Sequence, residues 1–199
     1  TGTGAISAGN SNPALSILVL EGPGNSFVGD FTLTDTAFQG RENNIMGDTA
    51  NVVNLDESFF RLYLDNNYIT NNASSALITL DNDFAVTSSN GDNSSIGTQG
   101  EGGGLSPVST FTGIFNGNIS IDADTTLELD ASSNENFAQT STSTFNGDIT
   151  DGANTAGLLI LGGGNAGSTS TVNLNGTITT DGPTSIEIDP NSGDDLPYG

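Results

Sequence analysis

The segment Phe115-Asn116-Gly117-Asn118-Ile119-Ser120 returns as Phe145-Asn146-Gly147-Asp148-Ile149-Thr150 and as Leu174-Asn175-Gly176-Thr177-Ile178-Thr179, at spacings of 30 and 29 residues. Each copy is followed, eight or nine residues after its Ile, by a short apolar run: Leu127-Glu128-Leu129-Asp130, Leu158-Leu159-Ile160-Leu161 and Ile186-Glu187-Ile188-Asp189. Recurrence at this period marks stacked repeats, in which one unit cannot hide its apolar face without a neighbour. The fold expected is therefore all-β, a parallel β-helix (β-solenoid) of roughly 30-residue coils. A set of antiparallel hairpins in a β-sandwich or jelly roll is the alternative, since Asn-Gly is also the strongest short hairpin signal. In stacked coils, Asn116, Asn146 and Asn175 fall in one column and form an Asn ladder. Asn-Gly suits such a turn because Asn tolerates the left-handed region and Gly has no Cβ to clash at positive φ.

Outward from this stretch the pattern weakens. Residues 1–14 read as a Gly/Ser/Asn lead-in or strand-donating segment, and Leu15 to Leu20 as a buried strand bounded by Glu21-Gly22-Pro23-Gly24. Phe27 to Thr34 resembles the repeated phrase with Gly29-Asp30 at the turn, and 35–50 reads as a polar connection carrying Arg41. Val52 to Leu55 reads as a short strand. Alternation at 59–64 buries Phe60, Leu62 and Leu64 and turns Phe59, Arg61 and Tyr63 outward. The phrase echoes faintly at Leu64 to Thr70, with Leu77-Ile78-Thr79-Leu80-Asp81 in the place of its apolar run. Residues 88–107 look like a patternless Gly/Ser-rich loop, and Ala131 to Thr142 like a second insert. The chain thus divides into the lead-in, degenerate repeats over 15–108, regular repeats over 109–189 and an acidic tail over 190–199, all in one elongated domain.

Composition narrows function. Two Lys+Arg against 24 Asp+Glu give a net charge of -22, which excludes nucleic-acid binding and attraction to an anionic membrane surface. The apolar runs are far short of the roughly 20 residues needed for a membrane-spanning helix. The absence of His and Cys excludes a Ser-His-Asp triad and a thiol nucleophile. Arg41 and Arg61 are the cations that a polysaccharide lyase could use; their plainer reading is surface pairing with nearby carboxylates. An acidic surface that repels itself until screened suits a saline or calcium-containing extracellular setting.

Oxygen donors without Cys or His favour Ca2+ as the cofactor. The candidates are Asp81 and Asp83 around Asn82, Asp122 and Asp124 around Ala123, and Asp189, Asn191, Asp194 and Asp195 near the end. Their plainer reading is ordinary turn residues. N-x-[ST] sequons stand at Asn72, Asn93, Asn118 and Asn175. A chain opening at Thr1 points to a processed secreted protein or a trimmed segment, with Met removal from a cytosolic protein as the alternative.

The phrases Thr144 to Thr150 and Thr171 to Thr179, with Leu158 to Gly164 between them, resemble the passenger regions of bacterial autotransporters and related surface adhesins. The resemblance covers 109–189 and implies a parallel β-helix displayed outside the cell. It implies a secreted, elongated protein with an adhesive or structural role. The open ends of a β-stack are unpaired edges, so the expected partners are further copies of the chain in a filament or layer, beside an extracellular glycan or a cell-surface receptor. A carbohydrate-binding or polysaccharide-degrading β-helix is the alternative function.

Overall fold

In Thr110-Phe111-Thr112-Gly113-Ile114-Phe115 the two Phe fall at even spacing on one side and the two Thr on the other, and such a segment buries its aromatic side if it lies extended on a sheet. The computed structural model describes residues 3–9, 16–20, 25–65, 75–101, 109–122, 125–133, 139–151, 156–164, 168–181 and 184–189. Over these the chain forms strands β1 (Ile6–Gly9), β2 (Ser16–Leu20), β3 (Phe31–Thr34), β4 (Thr36–Gly40), β5 (Val52–Asp56) and β6 (Phe59–Asp65). They are followed by β7 (Ser75–Leu80), β8 (Asp83–Thr87), β9 (Ser94–Glu101), β10 (Ser109–Phe115), β11 (Ile119–Ile121) and β12 (Thr126–Ser133). The last six are β13 (Gln139–Phe145), β14 (Ile149–Asp151), β15 (Ala156–Gly164), β16 (Thr169–Leu174), β17 (Ile178–Thr179) and β18 (Thr184–Asp189).

These strands build three sheets, ordered β1-β3-β5-β8-β11-β14-β17, β7-β10-β13-β16 and β2-β4-β6-β9-β12-β15-β18. Every pairing is parallel and links one coil to the next: Phe115 lies beside Phe145, Ile119 beside Ile149 and Leu127 beside Leu158. The fold is thus a β-helix of stacked parallel strands, and the antiparallel sandwich is excluded. Parallel neighbours cannot be joined by a tight hairpin, so the repeated phrase is not a hairpin turn. It is the corner where the chain leaves the four-stranded sheet for the first seven-stranded one.

The interior is an aromatic column. Phe31, Phe38, Phe60, Phe84, Phe115 and Phe145 contact one another in series, with centroids 5.7, 4.7, 5.1, 6.2 and 4.7 Å apart. Leu33, Leu55, Leu62, Ile96, Leu127 and Leu129 pack around it with no exposure. Each aromatic contact adds about 0.5–1.5 kcal/mol beyond the area it removes from water. Toward the last coil the inward Val172, Leu174 and Ile178 are only half-buried, and Ile188 is 71% exposed.

Several expectations are corrected. Residues 88–107 contain β9, a central strand between β6 and β12. Its small residues hid it: Ser94, Ser95 and Thr98 are fully buried, as Ile96 is, so burial there does not follow apolarity. The polar connection at 35–50 contains β4 with Phe38 in the core. The second insert is taken up at both ends by β12 and β13. The lead-in contributes β1, paired with β3.

The apolar run of the faint echo lies one sheet out of phase with those of the later repeats. Leu77 to Leu80 pairs with Thr112 to Phe115, so it precedes a corner rather than following one. The corner of that coil is Leu80-Asp81-Asn82-Asp83-Phe84, which reaches the same register as Phe115-Asn116-Gly117-Asn118-Ile119. Residues 66–70 and the tail over 190–199 lie outside the described residues. Among the described residues the first three coils have no strand in the four-stranded sheet. Residues 41–50 instead turn against its β7 edge, where the Asn44 N–H donates to the Thr79 carbonyl (3.3 Å) and the Thr79 N–H to Asn43 Oδ1 (2.7 Å). Ile45 and Met46 of that segment are fully buried.

Candidate functional site

The corners stack into a ridge of three side-by-side columns. In the first, Asn116 Nδ2 donates to Asp81 Oδ1 (2.6 Å), Asn146 Nδ2 to Asn116 Oδ1 (2.8 Å) and Asn175 Nδ2 to Asn146 Oδ1 (2.8 Å). An amide both donates and accepts along the stack, whereas a carboxylate only accepts, so Asp81 terminates the ladder. In the third column the bonds run from backbone to side chain. The Asn118 N–H donates to Asp83 Oδ1 (2.6 Å), the Asp148 N–H to Asn118 Oδ1 (2.9 Å) and the Thr177 N–H to Asp148 Oδ1 (2.8 Å). This second ladder was missed because Asp83, Asn118 and Asp148 differ as letters, although each presents an Oδ1 at the same distance from the backbone; Thr177 joins only through its backbone N–H.

The middle column explains the glycines. Gly117, Gly147 and Gly176 do not have positive φ, contrary to the turn chemistry expected of Asn-Gly. A Cβ on Gly117 would instead overlap the Asn82 carbonyl, one on Gly147 the Gly117 carbonyl, and one on Gly176 the Gly147 carbonyl. Glycine is required here by the close approach of backbone to backbone. Asn82 shares the column with a side chain because its amide is buried downward, donating to the Asp48 (2.8 Å) and Asn51 (3.0 Å) carbonyls. Gly29, by contrast, does have positive φ, at 141°.

The cation candidates divide accordingly. Asp81 and Asp83 are the lowest rungs of two separate ladders. Asp122 is exposed, its backbone N–H donating to the Val86 carbonyl (2.9 Å). Asp124, Asn191, Asp194, Asp195 and the side chain of Asp189 lie outside the described residues. Among the described residues no three Asp or Glu side chains gather as metal ligands.

A different acidic corner joins the first sheet to the third. Asp35 and Glu57 occupy successive coils with positive φ, 48° and 55°. Burial, then the charges of Glu57, Asp56 and Asp92, pushes the Asp35 carboxyl above its ordinary range. Burial also works against the Glu57 carboxylate, yet hydrogen bonds from Asn90 and Ser88 hold it below its ordinary range. The Asn90 N–H donates to Oε1, as does Ser88 Oγ at 2.9 Å, while Asn90 Nδ2 donates to Oε2 at 2.9 Å.

Arg61 does not sit on the surface. It is 4% exposed, with Nη2 2.9 Å from Asp130 Oδ2, Nη1 donating to Ser95 Oγ (2.7 Å), and the Phe59 ring 5.8 Å away. Asp130 is two coils further on, and the residue between them in the same column is Gly97. With no side chain at that position, the guanidinium reaches across the intervening strand. Burial pushes the Asp130 carboxyl up, against the opposing pull of Arg61. Arg41 packs its guanidinium 4.9 Å from the centre of the Tyr63 ring. The Arg-Gly-Asp column was the missed signal, but it becomes visible only once β9 is recognised as a strand.

No known protein family, curated protein or solved structure matches this chain.

Proposed function

We propose that this chain is a non-enzymatic extracellular structural or adhesive protein, acting as a passenger-type adhesin or as the subunit of a surface filament or layer. The observation that carries the reading is the continuity of the stack: one aromatic column and two hydrogen-bonded ladders run through successive coils, a construction suited to a rigid spacer. Arg61, the cation that lyase chemistry would need exposed, is spent inside the wall on Asp130 and Ser95. The exposed ladders offer amides, hydroxyls and carboxylates, which bind neutral partners or screen themselves with cations. Nothing in the reading requires nucleic acid or insertion into a bilayer, and among the described residues no helix is long and apolar enough to cross one.

Half-buried Val172, Leu174 and Ile178, with Ile188, favour end-to-end association with a further copy, since unpaired sheet edges template pairing. Electron microscopy of the purified protein, with and without calcium, tests this: filaments or end-to-end dimers are expected, and dispersed monomers under both conditions refute the filament version. Screening on acidic and neutral polysaccharides, with Arg41→Ala and Arg61→Ala, tests the carbohydrate reading. Turnover by the parent, abolished in an Arg41→Ala or Arg61→Ala variant that circular dichroism shows to be folded, would replace the structural proposal with an enzymatic one.

A further inference from the structure

The chain carries 26 Asp, Glu, Lys and Arg residues (24 and 2), yet none lies in β7, β10, β13 or β16. The outward positions of that sheet fall into strict register. Thr110, Thr140 and Thr169 form one column, Thr112, Thr142 and Thr171 the next, and Ile114, Thr144 and Asn173 the third. Beside them on β7 lie Leu77 and Thr79. The inward residues of the same strands, Phe111, Phe115, Ser141, Ser143 and Phe145, are buried, so the threonines face solvent. Thr169 and Thr171 are exposed, and Thr110, Thr112, Thr140, Thr142 and Thr144 are half-buried.

We propose that this outer face is an ice-binding surface. Hydroxyls repeat about 4.8 Å from strand to strand and about 6.6 Å along each strand, forming a near-rectangular net. The oxygen positions on a prism face of ice form a similar net, so one row of threonines can hold a layer of water already in lattice register. Each hydroxyl donates one hydrogen bond and accepts two, as a lattice water needs. The threonine methyl beside it repels looser hydration. No charged side chain on the face has a hydration shell that must be stripped before the lattice can seat. Preorganised positions lower the ordering cost of the first water layer.

The other two walls lack this character. On the first sheet a single hydroxyl-rich column, with Thr32, Ser120, Thr150 and Thr179, runs between columns carrying Asp30, Asp83 and Asp148 on one side and Asp56 and Asp122 on the other. The third sheet presents Glu128 and Glu187. An uncharged face on a chain of net charge -22 selects an uncharged partner. Among the described residues the face also has no outward aromatic ring to stack on a sugar, which favours ice over a crystalline polysaccharide.

The test is thermal hysteresis and inhibition of ice recrystallisation by the whole chain, with Thr142→Tyr at the centre of the face, Thr171→Tyr at its edge and Thr150→Tyr on the first sheet as control. Far-ultraviolet circular dichroism establishes that each variant folds. The proposal expects activity in the parent, its loss in Thr142→Tyr, reduction in Thr171→Tyr and retention in Thr150→Tyr. Absence of activity in the parent overturns it, as does equal loss in the folded control. Retention by crystalline cellulose or chitin without any effect on ice overturns it in favour of a polysaccharide surface.

Discussion

Replacing Gly147 by Ala separates two explanations of the Asn-Gly corners. If glycine served conformational freedom, Asn, which tolerates the left-handed region, would be the better substitute. In the structure Gly147 does not have positive φ, and a Cβ there would overlap Gly117 O and C and the Asn118 N. All three are backbone atoms and cannot rotate away, so the coils must separate. Such overpacking costs about 1–3 kcal/mol. Separation also stretches the Asn146–Asn116 bond (2.8 Å) and the Asp148–Asn118 bond (2.9 Å), each worth about 1 kcal/mol. Against this, Ala restricts the unfolded chain and returns about 0.4–1 kcal/mol. The net is a loss of about 2–4 kcal/mol, or at least about 4–8 °C in Tm for a chain of this size. Gly147→Asn should lose as much as Gly147→Ala. At Gly91, where φ is 91° and nothing lies within 4 Å of a Cβ, Asn should be milder than Ala. Thermal unfolding followed by circular dichroism reads all four variants. Asn outperforming Ala at 147, or Ala there stabilising the protein, would refute the close-approach argument.

Arg61→Met leaves the Asp130 carboxylate buried without its partner and should destabilise by about 3–5 kcal/mol, whereas Arg61→Met with Asp130→Leu should recover most of that loss in chemical denaturation. Asn146→Ala breaks the ladder on both sides and should cost about 1–2 kcal/mol, since both bonds are exposed. Asp35→Asn keeps a residue tolerant of positive φ while removing a charge among Glu57, Asp56 and Asp92. A carboxyl whose folded pKa is raised contributes stability that is full below its unfolded pKa and lost as pH rises through the folded one. The variant should therefore be more stable than the parent at neutral pH, with the gap closing as pH falls through the acidic carboxylate range.

The β-helix was legible from Phe115 onward because there the period, the corner and the following strand recur together. Upstream the same register persists with other letters: Asp81-Asn82-Asp83 serves as the corner, and hydrogen-bonding capacity rather than residue identity is what repeats. Strand β9 was illegible because its buried positions are held by Ser and Thr, so the usual alternation of apolar and polar residues is absent. The Asn ladder followed from spacing alone, but its companion column did not, since Asp83, Asn118 and Asp148 act through backbone donors. The buried Arg61–Asp130 pair could not be read from local sequence. It depends on residues from three different coils, with Gly97 opening the space between them.

The stacking order itself is most directly tested by electron–electron distance measurements between spin labels, to which this Cys-free chain is well suited. Labels at Thr32 and Thr179 stand five rungs apart in one column of the first sheet, about 24 Å at about 4.8 Å per rung. Moving the second label to Thr150 and then to Ser120 should shorten the distance by one rung each time. Distances that fail to fall in that order, or that group into two sets as across a sandwich, would contradict the stacked β-helix.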